Sequence, residues 1–414
     1  MNCTGPLAAG VKAVPDGKKA ASHAQAMGRF LANPRVTPEG LSVPLLAATR
    51  EAVTADGGEY VLAVADWSRV NDGGHASKRD RLQMTHATDV GDELQSSLLV
   101  SAEDGAPLGV PVQDLVTAQG VWSSCADTIS PKVSSPLDEL SERMSWLEQQ
   151  KFGPRLVHVI DREADSVGHL RRWTRDGQLW LVRAKGNSTV RYGNGSMRID
   201  AVAKQLGYTR ERQVLCQGRP IQHWIASAPV VLTRPAKPKK IGADGRRQRP
   251  VPGEPLKARL VVSRLCDEAG HLVAEWFLLT SVPETVSAAR VALWYDFRWQ
   301  IESFFKLLKQ AGHQLEQWEQ ESGGALFKRL LIATQACILV WRLAAQQTEE
   351  AQAARQFLVR LSGRQMKASR LVTPSALLAG AFILFAILDS LDHSSIPELR
   401  AFANSILLAN GGDG

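Results

Sequence analysis

Two largely apolar runs of strand length, each ending in an aspartate, constrain this chain more than any other feature. Residues 60–65 lead into Asp66, and residues 155–160 lead into Asp161. Runs of this length and composition predict buried strands. In an α/β sheet, functional sites assemble beyond the carboxyl ends of the strands, because the loops diverge there and leave a crevice. The sequence therefore predicts an α/β fold that brings two carboxylates to one edge of its sheet.

The order of the predicted strands and helices indicates which kind of α/β fold the chain adopts. Three strands, typical of an antiparallel meander, come first, and a helix, a strand, a helix and a strand follow. Their predicted bounds are 60–66, 82–88, 96–102, 137–150, 155–161, 166–174 and 179–184. This order fits a ribonuclease H-like α/β core. Later strand-like segments predict a mostly β insertion in that core, at 230–233, 260–265 and 275–280.

We divide the chain into five parts on this basis. In the first part, Pro34, Pro38 and Pro44 predict short, broken helices. The parts are a helical N-terminal region at 1–57, the first part of the core at 58–184, the β-rich insertion at 185–283, a helix that completes the core at 284–320, and a helical C-terminal region at 321–414.

The charge balance suits a polyanionic partner without proving one. The chain has 49 Lys and Arg residues against 42 Asp and Glu residues, a formal net charge of +7. A basic stretch rich in Pro and Gly occupies residues 234–249. Such a stretch is either a solvated loop or a contact surface for a DNA backbone, and the sequence leaves both readings open.

Cysteine spacing and hydropathy indicate where in or outside the cell the protein is located. The five cysteines lie far apart, without the close pair that would begin a zinc site or a secreted disulfide framework. The first 15 residues lack the apolar core of a signal peptide. The longest apolar run, residues 376–388, is shorter than the ~20 residues that span a bilayer, so we expect a helix buried in protein. These features favour a cytoplasmic protein with no membrane role.

One predicted helix, residues 288–314, is the most informative segment. At ~100° per residue, four polar side chains fall within about 40° of Glu302 on one face. They are Tyr295, Arg298, Lys306 and Lys309. Ordinary surface ion pairs at i±4 explain part of this pattern, at ~0.3 to 0.5 kcal/mol each. A row of cations around a single carboxylate also suits a phosphate backbone lying beside a metal ion.

Asp66, Asp161 and Glu302 together suggest a metal site. An aspartate at a strand end is often only a turn former or a helix cap, and either residue alone fits that role. Mg²⁺ takes hard oxygen ligands and only one or two carboxylates per ion, so three carboxylates suit two ions. Two ions support in-line displacement at phosphorus without a separate general base.

At these residues the sequence resembles bacterial cut-and-paste insertion-sequence transposases with a DDE catalytic centre, in the branch marked by the pattern Tyr-x2-Arg-x3-Glu-x6-Lys. Tyr295, Arg298, Glu302 and Lys309 match that spacing in full. Residues 161–165 are similar to the second-aspartate motif of this branch, and residues 276–281 are similar to the strand that precedes the patterned helix. At the first aspartate the chain has Asp66-Trp67-Ser68 instead of the family's Asp-Thr-Thr. The resemblance covers about residues 27–345.

The resemblance implies a ribonuclease H-like fold with a β insertion, and two Mg²⁺ or Mn²⁺ ions held by Asp66, Asp161 and Glu302. It implies a homodimer that cuts paired transposon-end DNA and joins it to target DNA. By the same resemblance Trp276 stacks on a base flipped out beside the cleavage point, and Arg183 and Lys185 contact DNA. The N-terminal region would bind DNA and the C-terminal region would dimerise.

Three other functions stay open at this level. The chain could be an inactive or inhibitory relative that binds DNA ends or an active partner; intact Asp66, Asp161 and Glu302 favour the enzyme. A metal-dependent nuclease for branched DNA would cleave without strand transfer. A glycosidase with paired carboxylates is disfavoured, because it has no need for the cations around Glu302.

Overall fold

A computed structural model of the chain describes residues 17–71, 78, 80–83, 89–132, 135–216, 219–237, 249–310, 315, 318, 320, 322–364, 372–392 and 394–409. Parts of several sequence predictions lie outside these residues. They are the start of the N-terminal region at 1–16, the end of the second strand at 84–88, most of the basic stretch at 238–248, and the end of the patterned helix at 311–314.

One mixed sheet organises the described residues. Its strands are β1 Tyr60–Asn71, β2 Leu82–Gln83, β3 Val90–Ser101, β4 Pro107–Val116, β5 Val121–Ser123, β6 Arg155–Ile160, β7 Leu179–Arg183, β8 Thr189–Tyr192, β9 Gly195–Arg198, β10 Thr209–Cys216, β11 Arg219–Leu232, β12 Leu256–Cys266 and β13 Leu272–Thr280. The main path is β5-β4-β3-β1-β6-β7-β13-β12-β11-β8-β9, with β2 beside β3 and β10 beside β11. β3 runs antiparallel to both β1 and β4, so an antiparallel meander is present, but its third strand is β4. Of the strand predicted at 82–88, the described residues form only the short β2 beside β3.

Parallel pairing is confined to the centre of the sheet. β6 lies parallel to β1 on one side and to β7 on the other. The helix α3 (Pro136–Gln149) precedes β6, and α4 (Val167–Arg175) connects β6 to β7, close to the predicted bounds. A crossover helix of this kind is what a parallel strand pair requires.

The predicted insertion continues the same sheet. Its last strand, β13, lies antiparallel to β7, and β12 and β11 follow in order. The mostly β character is as predicted, with one short helix, α5 (Ile199–Gln205), among the strands. The insertion strands therefore widen the central sheet, which the sequence pattern did not indicate.

Helices cover both faces of the sheet. The remaining ones are α1 Gly17–Ala32, α2 Pro38–Asp56, α6 Ala288–Asp296, α7 Trp299–Gln310, α8 Gly323–Ala345, α9 Glu349–Leu361, α10 Pro374–Leu391 and α11 Ile396–Ala409. One core joins α6, α7, α8 and α10 to one sheet face, and includes the fully buried Trp294, Phe304 and Phe327. A second core on the other face contains Leu140 of α3 and Leu170 of α4.

The N-terminal region departs from its prediction at Pro44. This proline lies inside α2 and does not end it. The helix begins at Pro38, with the Thr37 side chain accepting a hydrogen bond from the Gly40 backbone N–H at 3.1 Å. Pro44 removes one backbone hydrogen bond and crowds the preceding turn, but burial of Leu45, Thr49 and Val53 on one side of α2 stabilises the helix across it. The predicted break at Pro44 was therefore wrong.

The apolar helices of the C-terminal region differ in burial. By length and composition, α8 and α10 could each cross a membrane, which is weak evidence because core helices pass the same test. α8 is mostly buried, as a core helix is. α10 buries Leu377 and Leu378 near its start but exposes Ile383, Ile387 and Leu388 further along. The expected buried helix at 376–388 is thus buried only in its first half.

Candidate active site

Asp66 and Asp161 lie at the same level of two neighbouring parallel strands. The ladder between β1 and β6 ends where Ala65 pairs with Ile160, and each aspartate is the next residue of its chain segment. Asp161 follows the end of β6, as predicted. Asp66 does not end β1, which continues to Asn71 paired with β3 alone, so that prediction was wrong. The parallel pairing nevertheless brings the two aspartates together.

Both aspartates face the helices that carry the predicted glutamate. Successive side chains of a strand alternate between the two faces of a sheet. Asp66 therefore shares the face of Val64, and Asp161 shares the face of Val159. Both valines belong to the core that contains Phe304 of α7. The fold thus directs the two carboxylates toward α7.

Arg298 joins Asp66 to Glu302. Its Nη1 donates a hydrogen bond to Asp66 Oδ2 at 2.8 Å, and its Nη2 donates to Glu302 Oε1 at 2.6 Å. The Arg298 side chain is 12% exposed, and those of Asp66 and Glu302 are 19% and 31% exposed. Charge-assisted bonds of this length and burial are stronger than surface ion pairs. The first and third predicted carboxylates therefore meet around one guanidinium.

The charges at this position influence one another. Burial raises the pKa of Asp66, against the effect of the Trp67 backbone N–H and of Arg298, and the neighbouring Asp161 raises it further. Burial by itself lowers the pKa of Arg298, but Tyr295, Asp66 and Glu302 raise it above its ordinary value. The guanidinium therefore stays charged beside these carboxylates.

Tyr295 and Arg183 border the same group. Burial raises the pKa of Tyr295, the charges of Arg298 and Arg183 lower it, and Asp161 raises it. Arg183 also hydrogen bonds to the Tyr295 side chain. The structure thus brings together Asp66, Asp161, Arg183, Tyr295, Arg298 and Glu302, six of the residues selected from the sequence.

The patterned helix is broken, contrary to the prediction of one continuous helix. Tyr295 lies in α6, Arg298 lies in the turn after it, and Glu302 lies in α7. No Gly or Pro marks the break in the sequence, so periodicity could not predict it. Tertiary contacts accompany it: Trp294 Nε1 donates to the Ala102 carbonyl at 2.9 Å, and Arg298 is held by its two carboxylates.

The two lysines of the pattern have different surroundings. Lys306 is exposed on α7. The Lys309 ammonium donates a hydrogen bond to the Arg69 carbonyl oxygen, on the part of β1 that extends past Asp66. Lys309 therefore ties α7 to β1, whereas Lys306 points its charge toward solvent.

Trp276 lies on the same sheet face as this group. Leu278 of β13 pairs with Arg183 of β7, and Trp276 is two residues from Leu278, so the three share one face. Trp276 is partly buried against the core that contains Phe304. It is thus neither a fully buried core residue nor a free surface ring.

Lys185 lies at an open cavity beside the second aspartate motif. The cavity has a volume of about 450 Å³. Its lining combines cationic, amide and aromatic side chains with one carboxylate: Arg162, Arg183, Lys185, Asn187, Phe277 and Glu275. Its three cationic side chains outnumber the single carboxylate, so the cavity is electropositive beside the second aspartate motif.

Asp165 has a role that sequence reasoning missed, although the residue stands in the quoted motif at 161–165. Its side chain is fully buried and accepts hydrogen bonds from the Lys185 backbone N–H at 3.0 Å and from Ser188 Oγ at 2.8 Å. It also forms an ion pair with Arg234, which donates to Ser188 Oγ at 2.6 Å. Asp165 therefore fixes the segment with Lys185 beside Asp161.

The donor types fit a hard divalent cation, but their arrangement is not that of a formed metal centre. Within the described part of the chain, no group of three or more Asp, Glu, His or Cys side chains is placed to hold an ion. Arg298 lies between Asp66 and Glu302. Asp161 Oδ1 accepts from the Glu163 backbone N–H at 2.7 Å and caps a short 3-10 helix, so the turn-forming role considered for Asp161 is real.

Comparison with known proteins gives one family. Residues 137–338 match the family model of the transposase DDE domain. The matched segment contains Asp161, Trp276 and Glu302, and Asp66 precedes it. A search of the curated proteins finds no match. The family match supports a DDE transposase and agrees with the resemblance at that level.

Proposed function

We propose that this chain is a DNA transposase that cuts and joins insertion-sequence ends by two-metal phosphoryl transfer. The observation that carries the proposal is the convergence of Asp66, Asp161 and Glu302, from two parallel strands and one helix, on one side of the sheet. The match to the transposase DDE domain supports the same reaction class.

Asp66, Asp161 and Glu302 would hold two Mg²⁺ or Mn²⁺ ions. Such ions, when bound, activate the attacking oxygen and neutralise the charge that develops on the leaving oxygen. The residues of the chain orient the DNA: Arg298, Lys306 and Lys309 bind backbone phosphates next to the cut, and Arg183 and Lys185 contact the strand from the β7 side. Tyr295 holds Arg183 beside Asp161.

The strand order supports a ribonuclease H-like core. Its path, β4-β3-β1-β6-β7, begins with the antiparallel meander and ends with two strands parallel to β1. We keep the five proposed parts of the chain, whose boundaries follow residues 57, 184, 283 and 320. In this proposal the N-terminal region binds the DNA of the transposon ends. The exposed apolar residues of α10 are compatible with dimerisation through the C-terminal region.

The test of this function is a reaction with the DNA that flanks the coding sequence. With Mg²⁺, the purified chain should cut that DNA at inverted repeats and join the freed ends to a target plasmid. Binding of the repeats without cutting would favour the inhibitory relative. Cutting of branched DNA without joining would favour the nuclease.

Lys306 should bind a DNA phosphate, because it is the exposed cation of α7 next to Glu302. We expect Lys306→Gln to reduce the slope of log affinity against log salt by about 1 and to weaken binding to all sequences alike. The matched control is Lys151→Gln, since Lys151 lies exposed near the start of β6, at the other end of the strand from Asp161. If the two variants have equal slopes of log affinity against log salt, Lys306 does not bind a phosphate and is only a surface ion-pair partner.

Trp276 should receive a flipped base. Extruding a base costs a few kcal/mol, and stacking on an aromatic ring returns ~1 to 3 kcal/mol. Trp276→Ala should therefore impair cleavage of duplex ends. The variant should regain cleavage on ends whose flipped nucleotide is abasic, because no base then has to be extruded. A purely structural tryptophan behaves differently: its truncation costs ~3 to 5 kcal/mol of stability and lowers activity on every substrate equally. Melting temperature and cleavage of both substrates separate the two roles.

A further inference from the structure

The position of Arg298 carries a consequence beyond orienting DNA. Its two terminal nitrogens are bonded to one oxygen each of Asp66 and Glu302. These are two of the three residues proposed to hold divalent ions. The same side chain is one of the cations proposed to bind a phosphate. While Nη1 and Nη2 donate to Asp66 and Glu302, the guanidinium occupies carboxylate oxygens that a divalent ion would need, and the two carboxylates already balance its charge.

The geometry explains how Asp66 and Glu302 can lie close together before any metal ion binds. Asp66 comes from a strand and Glu302 from a helix, and both are partly buried. Two carboxylates that converge in a low-dielectric environment repel each other unless a cation lies between them. Arg298 supplies that charge, and it does so from the turn between α6 and α7. With Arg298 in place, the described residues form no group arranged to hold a metal ion.

We propose that Arg298 is an internal counter-cation that competes with divalent ions for Asp66 and Glu302, and that a DNA phosphate releases this competition by accepting the guanidinium. The inference rests on the proposed function. Its consequence is that metal and DNA bind cooperatively through one side chain. Thermodynamic linkage then requires each ligand to raise the affinity of the other by the same factor.

The expected size of the coupling follows from ordinary allosteric free energies. DNA should raise the Mn²⁺ affinity of the wild-type chain by about 5- to 150-fold. Arg298→Met removes the charge at similar length, so its Mn²⁺ affinity without DNA should rise by a comparable factor. DNA should then add little more. Arg298→Lys keeps the charge but loses one of the two bonds, and it should lie between the wild type and Arg298→Met.

Electron paramagnetic resonance of free Mn²⁺ measures these affinities without any need for catalysis. The full chain is titrated alone and with a duplex of the flanking DNA. Circular dichroism establishes that each variant is folded, and Arg298→Lys carries the test if Arg298→Met does not fold. The matched control is Arg175→Met, because the Arg175 side chain is exposed on α4, and it should behave as wild type.

The outcomes separate this inference from the proposed function. Weaker or unchanged Mn²⁺ binding in both Arg298 variants without DNA would overturn the competition, even if Asp161→Asn abolishes Mn²⁺ binding. If Asp161→Asn and Glu302→Gln bind Mn²⁺ as tightly as the wild type, the metal site itself is wrong and the proposed function fails. Tighter binding in the Arg298 variants, lost again with Asp161→Asn, supports both.

Discussion

Glu302→Gln and Asp161→Asn should each reduce strand cleavage at transposon ends by at least about a thousandfold, while binding of the same ends persists. Either change removes a negative charge from the group proposed to hold the metal ions, and hard divalent cations depend on carboxylate charge. Asparagine can still accept the Glu163 backbone hydrogen bond that Asp161 accepts at 2.7 Å, so the turn after β6 should survive. Gel-shift and cleavage assays on one labelled end measure both quantities.

The control for these variants is Glu268→Gln. Glu268 is exposed in the turn between β12 and β13, and its loss should leave both cleavage and binding unchanged. Cleavage by Glu302→Gln at the wild-type rate would show that Glu302 is not catalytic. If cleavage is absent in the wild type as well, while ends are bound, the inhibitory relative becomes the better explanation.

The central strands could be predicted because their signal is local. Residues 156–160 form a largely apolar run buried on both faces of the sheet, and the observed β6 begins at Arg155 as predicted and ends one residue before the predicted end. The end of β1 could not be predicted in this way. After Asp66 the strand has no regular alternation of polar and apolar residues, and it stays extended because β3 pairs with it as far as Asn71. Pairing with a distant segment is not visible in a local pattern.

The strand β4 was missed for a related reason. β4 contains Gly109 and Pro111, residues that usually indicate turns. It forms a strand because β3 and β5 pair with it on either side and because Val110 and Val112 are buried. Tertiary burial outweighs the local preference here, as it does at Pro44 in α2.

Several residues selected from the sequence lie together in the structure, but their connections could not be predicted. The spacing of Tyr295, Arg298 and Glu302 indicated a shared face, and these residues do lie together. The ion pair of Arg298 with Asp66 joins residues 232 positions apart. The contacts of Asp165 with Lys185 and Arg234 likewise depend on how β7 and β11 end near the motif. Periodicity carries no information about such long-range pairs.

Asp165→Ala should produce the largest loss of stability among the substitutions considered. The change removes three accepted hydrogen bonds and leaves the Arg234 guanidinium, whose side chain is 23% exposed, without its carboxylate. Removing one partner of a buried ion pair costs ~3 to 5 kcal/mol, and we expect about 3 kcal/mol because Arg234 keeps some contact with water. The urea midpoint of unfolding, measured by circular dichroism, gives the difference.

A control and a double substitution identify the cause. Asp176→Ala removes exposed ion pairs with Arg172 and Arg175, and it should cost less than ~1 kcal/mol. Arg234→Met combined with Asp165→Ala should cost less than the sum of the two single changes, because the uncompensated charge is then absent. If the stability losses of the two single changes add up in the double variant, Asp165 acts through the Lys185 backbone and Ser188 alone. A loss for Asp165→Ala no larger than that for Asp176→Ala would show that the segment carrying Lys185 does not depend on Asp165.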